Sequence, residues 1–461
     1  MDSSELAPKP PGTFGTRHRQ VFLMFVGLVL AYSMRVNLSV GIVAMTDPTV
    51  NPDYPTVNWT TAEKGVVSSM FFYGYFLTGI PAGTLASRYG PIKVVSWIGG
   101  IMCGVASVAF PLAVHFGFYW ACAFRVLQGL GQGFFYPCIN THMSKWAIPE
   151  ERGRLFSSCF SGTQLGTILM LGLGGFLAAG SGGWYSIFYS SGGLSIIWGI
   201  ACLVFGADSP ADHKTISPTE RAYIETRLKA SSSESKNMKI PWLNIGLSIP
   251  MWSLLLVHLA QNWGFWTLLT LMPTYMKGIL NFDIQQNGTL SALPYLVMFI
   301  NAIIFAHIAD YITNHRLLTV NFARKMWNSI ALYGGAAALL SLATLSTNAT
   351  GAIILLTVAV GLNAACYNGY LCNHLDLSPN FAGVLMGITN GLANITSILA
   401  PTIAGILVKD ESNAEQWQTV FLASSAIFFV GNSVFVTFGS TQIQKWNDPD
   451  YKRDDEKNGP V

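Results

Sequence analysis

The sequence predicts an all-α membrane protein in which twelve transmembrane helices form two bundles of six. Hydrophobic residues make up 51% of the 461 residues and charged residues only 11%, whereas ordinary soluble domains carry about 25% charged residues. Apolar runs long enough to cross a bilayer recur about twelve times along the chain. Features of the first six runs recur in the last six, which predicts an internal repeat.

The predicted first bundle covers residues 20–205 and follows a cytosolic tail of residues 1–19. The tail is polar and has no cleavable signal pattern, so we expect the first span to direct its own insertion. The six spans of this bundle begin near Val21, Gly65, Val94, Gly117, Leu155 and Ile187.

A polar stretch, residues 206–250, is predicted to be a cytosolic loop between the bundles. Within it, Ser217-Pro-Thr-Glu220 has the spacing of a capping box, which predicts a short amphipathic helix running to Lys229. The second bundle is predicted for residues 251–439, and a cytosolic tail of residues 440–461 follows it. Its spans begin near Met251, Gly288, Met326, Gly351, Gly383 and Val420.

The two halves share the way in which their fifth and sixth spans are built. Gly153-Arg-Leu-Phe opens a glycine-rich span, and Trp184-Tyr-Ser-Ile-Phe188 follows that span. The same arrangement recurs about six spans later, where Gly383-Val-Leu-Met opens a span and Trp417-Gln-Thr-Val-Phe421 follows it. Chance similarity between apolar spans is the alternative, but the matched Trp and Phe positions favour a parallel repeat. Such repeats place a site between the halves near the bilayer midplane.

The basic residues predict the orientation of the chain. Of its 26 lysines and arginines, 21 lie in alternate loops and in the two tails, against three in the opposite loops. By the positive-inside rule both termini are cytosolic, and this distribution explains the net charge of +3 without a nucleic-acid partner. We expect glycosylation at the opposite face and a plasma-membrane location in preference to a vesicle or lysosome. The three sequons predicted to lie at that face are at Asn58, Asn287 and Asn348.

Arg125 is the charged residue that the apolar pattern explains least. It follows an apolar stretch in the fourth span, and an arginine at the bilayer centre costs at least about 2.5–3.5 kcal/mol. At helical spacing it shares a face with Gln128, Gln132, Tyr136 and Asn140. This face predicts the lining of a polar cavity. The alternative is that Arg125 reaches a lipid headgroup or anchors a neighbouring helix.

The first span carries a second intramembrane arginine, Arg35, with Tyr32 and Ser39 on the same face. In the fourth span, Gly129 and Gly133 form a small-xxx-small pair that lets another helix approach closely. We therefore expect Arg35 and Arg125 to serve the same polar cavity.

Polar stripes also run along three spans of the second half. Their neutral oxygens suit a sodium ion, but they could equally be interhelical hydrogen bonds worth about 0.6 kcal/mol each. No catalytic triad, metal cluster or phosphate loop is recognisable, so neither an enzyme nor a bound cofactor is expected, apart from a possible coupling sodium ion. The stripes are His258, Gln261, Asn262 and Thr267; Asn363, Tyr367, Tyr370 and His374; and Asn390, Asn394 and Ser397.

Several short stretches resemble the anion:cation symporter branch of the major facilitator superfamily. This branch includes sialin, the vesicular glutamate transporters and the sodium/phosphate cotransporters, and the resemblance runs from Arg17 to Trp446. The stretches are Arg35-Val-Asn-Leu-Ser-Val, Phe71-Phe-Tyr-Gly-Tyr, Arg125-Val-Leu-Gln-Gly, Ser144-Lys-Trp-Ala-Ile-Pro-Glu-Glu-Arg, Asn262-Trp, Leu293-Pro-Tyr, Asn373-His-Leu-Asp and Met386-Gly-Ile-Thr-Asn-Gly.

The resemblance implies the major facilitator fold and roles for individual residues. It implies that Arg35 and Arg125 recognise an anion. The substrate is expected to contact Tyr32, Arg35, Arg125, Gln128, Gln132, Tyr136, Gln261, Asn262 and Tyr367. A coupling cation is expected at Asn363, Asn390 and Asn394. Gate or motif roles are expected for Arg88, Asp310 and His374.

Departures from the family pattern bear on the coupling ion. Sialin-like members carry glutamates where this chain has Gln128 and Gln132. Glutamate carriers have a histidine in place of Ser68 and an arginine in place of Gln261, and the superfamily often has an aspartate in place of Ser87. The chain therefore lacks carboxylates that would carry a coupling proton, and its glutamines are similar to those of the phosphate-cotransporter members.

These features predict a secondary active transporter of small anions, with sodium as the coupling ion and phosphate or an organic anion as substrate. One alternative is a proton-coupled or uniporting organic-anion carrier of the sialin type. Another is a membrane sensor that keeps the fold without transporting. The expected partners are the anion and the lipid bilayer, and the expected assembly is a monomer.

Overall fold

The computed structural model describes residues 14–50, 52–148, 151–232, 240–345 and 348–448, and within these ranges the chain is helical without any β-strand. The predicted all-α fold class is confirmed. Ten described stretches are long and apolar enough to cross a membrane. The helix Thr61–Tyr89 covers the second predicted span, and the helices Phe118–Gln132 and Phe135–Trp146 cover the fourth.

The described part of the first half contains eight α-helices, and its third span includes a π-helical turn. The helices are α1 (Thr16–Thr46), α2 (Thr61–Tyr89), α3 (Pro91–Val94), α4 (Cys103–Phe116), α5 (Phe118–Gln132), α6 (Phe135–Trp146), α7 (Arg152–Ala179) and α8 (Tyr185–Phe205), with the π-helical segment Val95–Met102 joining α3 to α4. Helix α1 packs along α7 and α8, and α2 packs along α5.

Nine further α-helices lie among the described residues of the central loop and the second half. The loop holds α9 (Pro218–Ser232) and α10 (Trp242–Gly246). The second half holds α11 (Ile249–Gly278), α12 (Ile284–Asn314), α13 (Val320–Thr344), α14 (Ala349–Asn363), α15 (Tyr370–Leu377), α16 (Ala382–Leu407) and α17 (Ala414–Phe438), with 3₁₀ segments at Ala364–Tyr367 and Lys445–Asn447. Helix α13 packs against α14 and α17.

The chain divides into two compact units that do not follow the predicted bundles. The first unit comprises Met1–Lys236 with Leu269–Leu293 and Pro401–Asn413, and the second comprises the rest of the second half. The first unit thus includes the ends of α11 and α16 and the loops that follow them. The predicted bundle boundaries at 20–205 and 251–439 stay a prediction.

Helix α9 of the central loop is attached to the start of α1. The Glu220 carboxylate accepts hydrogen bonds from the backbone amides of Thr16 and Arg17, at 2.9 and 3.2 Å. Burial alone would raise the pKa of Glu220, but these bonds and the Arg17 side chain hold it below its usual value. Half of the predicted capping box forms, because Ser217 Oγ accepts from the Glu220 amide. The carboxylate caps α1 instead, where it also meets the positive end of that helix.

Two spans that the sequence predicts as continuous helices are broken. The fourth span is interrupted between Gln132 and Phe135, because the Pro137 ring conflicts with the helical carbonyl four residues earlier. The tenth span changes to a 3₁₀ segment after Asn363 and restarts at Tyr370, whose amide donates to the Asn328 side chain. Both breaks correct the expectation of a single uninterrupted polar face on each span.

Candidate functional site

Glycines bring α2 and α5 into close contact. A Cβ atom on Gly129 would lie 1.9 Å from the Phe71 carbonyl oxygen, and one on Gly74 would lie 2.1 Å from the Val126 carbonyl oxygen. No larger residue fits at either position without separating the helices. The close approach predicted from the small-xxx-small pair is confirmed, and it places Phe71 of α2 beside Arg125 of α5.

The ring of Phe71 contacts both intramembrane arginines. The guanidinium carbon of Arg125 lies 5.2 Å from the ring centroid, and that of Arg35 lies 5.0 Å from it. Arg35 also lies 4.5 Å from the Tyr32 ring centroid and 4.8 Å from that of Tyr75. Cations near aromatic faces gain about 2 kcal/mol when they are desolvated. These rings therefore offset part of the cost of burying two cations.

Hydrogen bonds fix the two guanidiniums through the predicted glutamines. Arg35 Nε donates to Gln132 Oε1 at 3.2 Å, and Gln132 Nε2 donates to the Ala31 carbonyl at 2.8 Å. Arg125 Nη1 donates to Gln128 Oε1 at 2.7 Å. The structure thus brings four of the predicted substrate-binding residues together in pairs, and Gln132 joins α5 to α1.

Tyr136 contacts the same group of residues despite the break before α6. Its hydroxyl lies 2.7 Å from the Tyr32 hydroxyl, and its ring stacks on Phe160 of α7. Asn140, predicted for the same face, is exposed one turn further along α6.

Two buried donors in this cluster have no hydrogen-bond partner among the described residues. They are Arg125 Nε and Gln128 Nε2, on side chains that are 3% and 1% exposed. A buried unsatisfied donor is costly, and more so on a charged group. Donors of this kind are available to the oxygen atoms of an anion.

No acidic residue occurs in α1, α5, α6 or α7. These four helices therefore give the two arginines no carboxylate counterion, and the acid of α2, Glu63, accepts a hydrogen bond from the Thr60 amide in the first turn of that helix. A small anion would supply the missing negative charge and accept hydrogen bonds from the unpartnered N–H groups of Arg125 and Gln128. One arginine can donate to two oxygens of such an anion at once. The cluster of Arg35, Arg125, Gln128, Gln132 and Phe71 is called the arginine cluster below.

Phe71 and Tyr75 were not predicted as site residues. The sequence contained a signal for both residues, because Phe71-Phe-Tyr-Gly-Tyr is one of the stretches that resemble the family. Phe71 and Tyr75 are four residues apart, so they share a helix face. The sequence does not show which rings of this aromatic stretch face the arginines, because that depends on the packing of α2 against α5.

The second unit has its own buried polar network. Gln261 Nε2 donates to Asn363 Oδ1 at 2.9 Å, and the Tyr370 hydroxyl donates to Gln261 Oε1 at 3.1 Å. Asn262 Nδ2 donates to the Ala393 carbonyl at 2.8 Å. Of the predicted substrate-binding residues in this half, Gln261 and Asn262 are therefore held by protein partners.

Two histidines lie beside this network. The His258 ring centroid is 5.0 Å from that of Tyr370 and 6.2 Å from that of His374. His374, a predicted gate residue, is buried and its Nε2 lies 2.8 Å from Thr389 Oγ1. His258 is also buried, and its Nδ1 has no hydrogen-bond partner among the described residues.

The remaining predicted residues lie on α2, α12 and α16 and in the 3₁₀ segment before α15. Asn394 donates to the Asn390 carbonyl within α16, whereas Asn363 accepts from Gln261. Tyr367 is 40% exposed at the end of its 3₁₀ segment. Arg88 stacks on Tyr89 at the end of α2, and Asp310 is exposed on α12.

The three sequons differ in their exposure. Asn58 and Asn348 are exposed, and Asn348 uses only its side-chain oxygen, to cap α14. Asn287 is 1% exposed, and its Nδ2 donates to the Pro273 carbonyl at 2.7 Å. The expectation for Asn287 needs correction, because the nitrogen that would carry the glycan is buried.

The fold and this arrangement agree with the comparison with known families. The sequence model of the Major Facilitator Superfamily matches residues 23–392. The chain belongs to this superfamily, and the predicted family resemblance is confirmed.

Several named proteins are similar over nearly the whole chain. A Drosophila melanogaster protein named "Putative inorganic phosphate cotransporter" is 37% identical, over 98% of this chain and 89% of its own length. Human sialin is 34% identical, over 95% and 92%. Human vesicular glutamate transporter 2 is 32% identical, over 95% and 76%.

Solved structures show the same fold at low identity. A bacterial homologue of the human lysosomal transporter Spinster superposes with a TM-score of 0.71 at 16% identity, over 93% of this chain and 99% of its own. A D-xylose–proton symporter superposes with a TM-score of 0.67 at 13% identity, over 92% and 99%.

Proposed function

We propose that this protein is a secondary active transporter that carries small anions by alternating access and binds them at the arginine cluster. The observation that carries the proposal is the pair Arg35 and Arg125, buried around one phenylalanine ring without a carboxylate in α1, α5, α6 or α7. The relatives named as a phosphate cotransporter and a glutamate transporter support an anionic substrate, and sialin belongs to the same branch. Membership of a transporter superfamily supports a transporter in preference to an enzyme or a sensor.

Sodium is the proposed coupling ion. Where sialin-like relatives have glutamates, this chain has Gln128 and Gln132, and an amide neither gains nor loses a proton across the physiological pH range. Neutral oxygens of the second unit, with Asn363 as the buried example, supply the type of ligand that sodium accepts. Phosphate is the first candidate substrate because the glutamines resemble those of the phosphate-cotransporter members.

The orientation proposed for the transporter has both termini in the cytosol. The distribution of basic residues between alternate loops supports it. A plasma-membrane location is proposed together with use of Asn58 and Asn348 as glycan acceptors.

The second candidate is a proton-coupled carrier of organic anions, and His258 is the residue that it would require. His258 is buried, its Nδ1 lacks a hydrogen-bond partner among the described residues, and its ring lies beside Tyr370. Histidine is the side chain whose ordinary pKa allows a change of charge near neutrality. In this candidate, His258 would carry the coupling proton, which Gln128 and Gln132 cannot carry.

Counterflow and uptake in proteoliposomes test both candidates. A screen of phosphate, urate, sialate, glutamate and aromatic anions identifies the substrate, and uptake is then titrated against external sodium and external pH. The proposal expects saturable anion counterflow and uptake that needs sodium but changes little between about pH 5.5 and 7.5. Acid-activated uptake without a sodium requirement would favour the second candidate, and binding without flux would indicate a sensor.

A further inference from the structure

A groove of about 550 Å³ runs between α1 and α8 in the first unit. Its long walls are apolar, and several of these side chains are more than half exposed, among them Phe22, Ile197 and Phe205. At one end the lining changes to Arg19, His213 and Thr215. The apolar walls are formed chiefly by Phe22, Val26, Leu30, Leu194, Ile197 and Phe205.

The length of the groove matches one leaflet of a bilayer. From Arg19 to Leu30, both of which line it, α1 rises about 16 Å at about 1.5 Å per residue. The hydrocarbon core of a bilayer is about 30 Å thick, so the groove reaches from one membrane surface to about the midplane. This extent fits the hydrocarbon chain of a lipid, which also ends at the midplane.

The floor of the groove is rigid and presents no free polar group. The Trp198 indole N–H donates to the Leu23 carbonyl at 2.9 Å, and the indole stacks on Phe135 with ring centroids 5.6 Å apart. A Cβ atom on Gly27 would lie 2.3 Å from the indole ring, so α1 contacts Trp198 directly. Because the one polar atom of this side chain is already bonded, the interior of the groove suits a hydrocarbon.

The polar end of the groove has a cation without a direct ion-pair partner among the described residues. Arg19 is exposed, and no described acceptor forms a hydrogen bond or ion pair with its side chain. The carboxylates of Glu151 and Glu220 are both bonded to Arg17. His213 Nδ1 accepts from the Thr215 amide at 3.2 Å, which leaves Nε2 as the N–H donor of a neutral ring. The groove therefore ends in a cation and a hydrogen-bond donor.

We propose that this groove binds an anionic glycerophospholipid, with one acyl chain between α1 and α8 and the phosphate at Arg19 and His213. Both helices reach the proposed cytosolic surface here, and the cytosolic leaflet is the one that carries anionic lipids such as phosphatidylserine. The assignment of the leaflet rests on the proposed orientation, whereas lipid binding itself does not. A bound lipid would hold α1, which carries Arg35, against α8.

Lipid titration of the delipidated protein tests the groove. The purified full chain in detergent is titrated with phosphatidylserine and with phosphatidylcholine, and native mass spectrometry measures the occupancy of each. A phosphatidylserine probe with a diazirine on its acyl chain then maps the site by cross-linking. The wild type is expected to bind phosphatidylserine more tightly and to cross-link within Leu194–Phe205. A micelle has no leaflets, so this result is independent of the proposed orientation and of transport.

Three variants separate the headgroup contact from the groove. Arg19→Gln is expected to weaken phosphatidylserine binding about fivefold, the effect of one interfacial cation, and to leave phosphatidylcholine binding unchanged. Lys214→Gln is the matched control, because Lys214 adjoins His213 in sequence but does not line the groove. Ala201→Trp, at a lining position, is expected to reduce cross-linking of the probe to α8. Equal binding of the two lipids by the wild type, or phosphatidylserine binding that Arg19→Gln leaves unchanged, would overturn the proposal.

Discussion

Phe71 contacts two guanidiniums that repel each other. Its ring contacts both Arg35 and Arg125, and the α2–α5 approach at Gly129 fixes the position of its backbone. The ring contributes no hydrogen bond, so its effect is to hold two cations in a poorly hydrated site through its quadrupole. This residue is therefore expected to set the geometry with which the arginines receive an anion.

Substitution of Phe71 tests this positioning role. Phe71→Leu removes the ring while keeping an apolar side chain, and we expect anion uptake to fall about tenfold or more, since two cation–π contacts are lost. Phe71→Tyr keeps the ring and should retain much of the uptake. Phe76→Leu, at an exposed position of the same helix, serves as the control. Normal uptake by a well-expressed Phe71→Leu protein would contradict the role.

Gln132 gives a second test at the residue scale, because its oxygen accepts from Arg35. Gln132→Glu would place a carboxylate against that arginine, where it competes with the substrate anion. We expect weak uptake throughout the range of about pH 5.5 to 7.5, because a carboxylate paired with an arginine stays ionised in this range. Uptake by the wild type and by Gln132→Glu is measured across it. Uptake by Gln132→Glu equal to that of the wild type would show that this position does not influence the anion site.

Sequence reasoning found the charged and amide members of the arginine cluster but not its rings. An arginine inside an apolar span stands out because its burial is costly. The pairing of Arg35 with Gln132 and of Arg125 with Gln128 depends on how α1, α2 and α5 pack, which one helix face does not specify. The role of these residues in substrate binding stays a prediction.

At the scale of helices, one ion pair joins the start of α2 to the loop after α16, and a second joins the segment after α1 to α11. Lys64 Nζ lies 2.7 Å from Glu411 Oε1, and a Cβ atom on Gly65 would lie 2.5 Å from the Pro401 carbonyl oxygen. Asp47, after α1, pairs with Lys277 at the end of α11. Alternating access requires contacts of this kind to open and re-form.

Charge reversal tests the pair of Lys64 and Glu411. Lys64→Glu places two acids together and is expected to change the uptake rate about two- to fivefold, a modest effect because the pair is partly exposed. The double variant Lys64→Glu with Glu411→Lys restores opposite charges and should return the rate toward that of the wild type. Independent effects of the two substitutions in the double-mutant cycle would show that the pair does not couple the two elements.

The ion pair of Asp47 and Lys277 should not make transport depend on pH in the physiological range. Burial alone would raise the pKa of Asp47, but hydrogen bonds from Lys277 and Thr49 hold that pKa below its ordinary value. A carboxylate with a lowered pKa contributes stability above its ordinary pKa of about 3.9 and loses it only as the pH falls through the lowered value. The pair therefore remains ionised throughout the range used for the uptake measurements.

The helix breaks show where sequence-based prediction of elements was incomplete. Pro137 is a readable signal for the break in the fourth span, since proline removes a helical donor and conflicts with the preceding turn. The break in the tenth span has a tertiary partner, because the Asn328 side chain of α13 accepts from the Tyr370 amide. No local pattern specifies that contact.

At the scale of the whole molecule, the all-α membrane fold and the family could be predicted from apolar length, charge distribution and short motifs. The division into compact units could not, because it depends on where the ends of α11 and α16 pack. The burial of Asn287 could not be predicted either. Its sequon lies near a predicted loop, as the exposed sequons do, and only the packing shows that its side chain donates to the Pro273 carbonyl.

Glycan mapping tests the orientation of the whole chain. On expression through a eukaryotic secretory pathway, Asn58 and Asn348 are expected to carry glycans, whereas sequons engineered into residues 206–228 should remain unmodified. Asn58→Gln and Asn348→Gln should each remove one glycosidase-sensitive shift on a gel. Modification of the engineered central-loop sequons would reverse the orientation.

The most direct test of the anion site is substrate counterflow, which needs binding and translocation but no ion gradient. Proteoliposomes with equal amounts of wild type, Arg35→Ala or Arg125→Ala are compared, using the anion that gives the strongest counterflow in the screen. Arg221→Gln, on the exposed surface of α9, is the charge control. We expect both alanine variants to lose counterflow, and Arg125→Lys to recover little because lysine lacks the planar fork of arginine. Wild-type counterflow by folded Arg125→Ala protein would contradict the account.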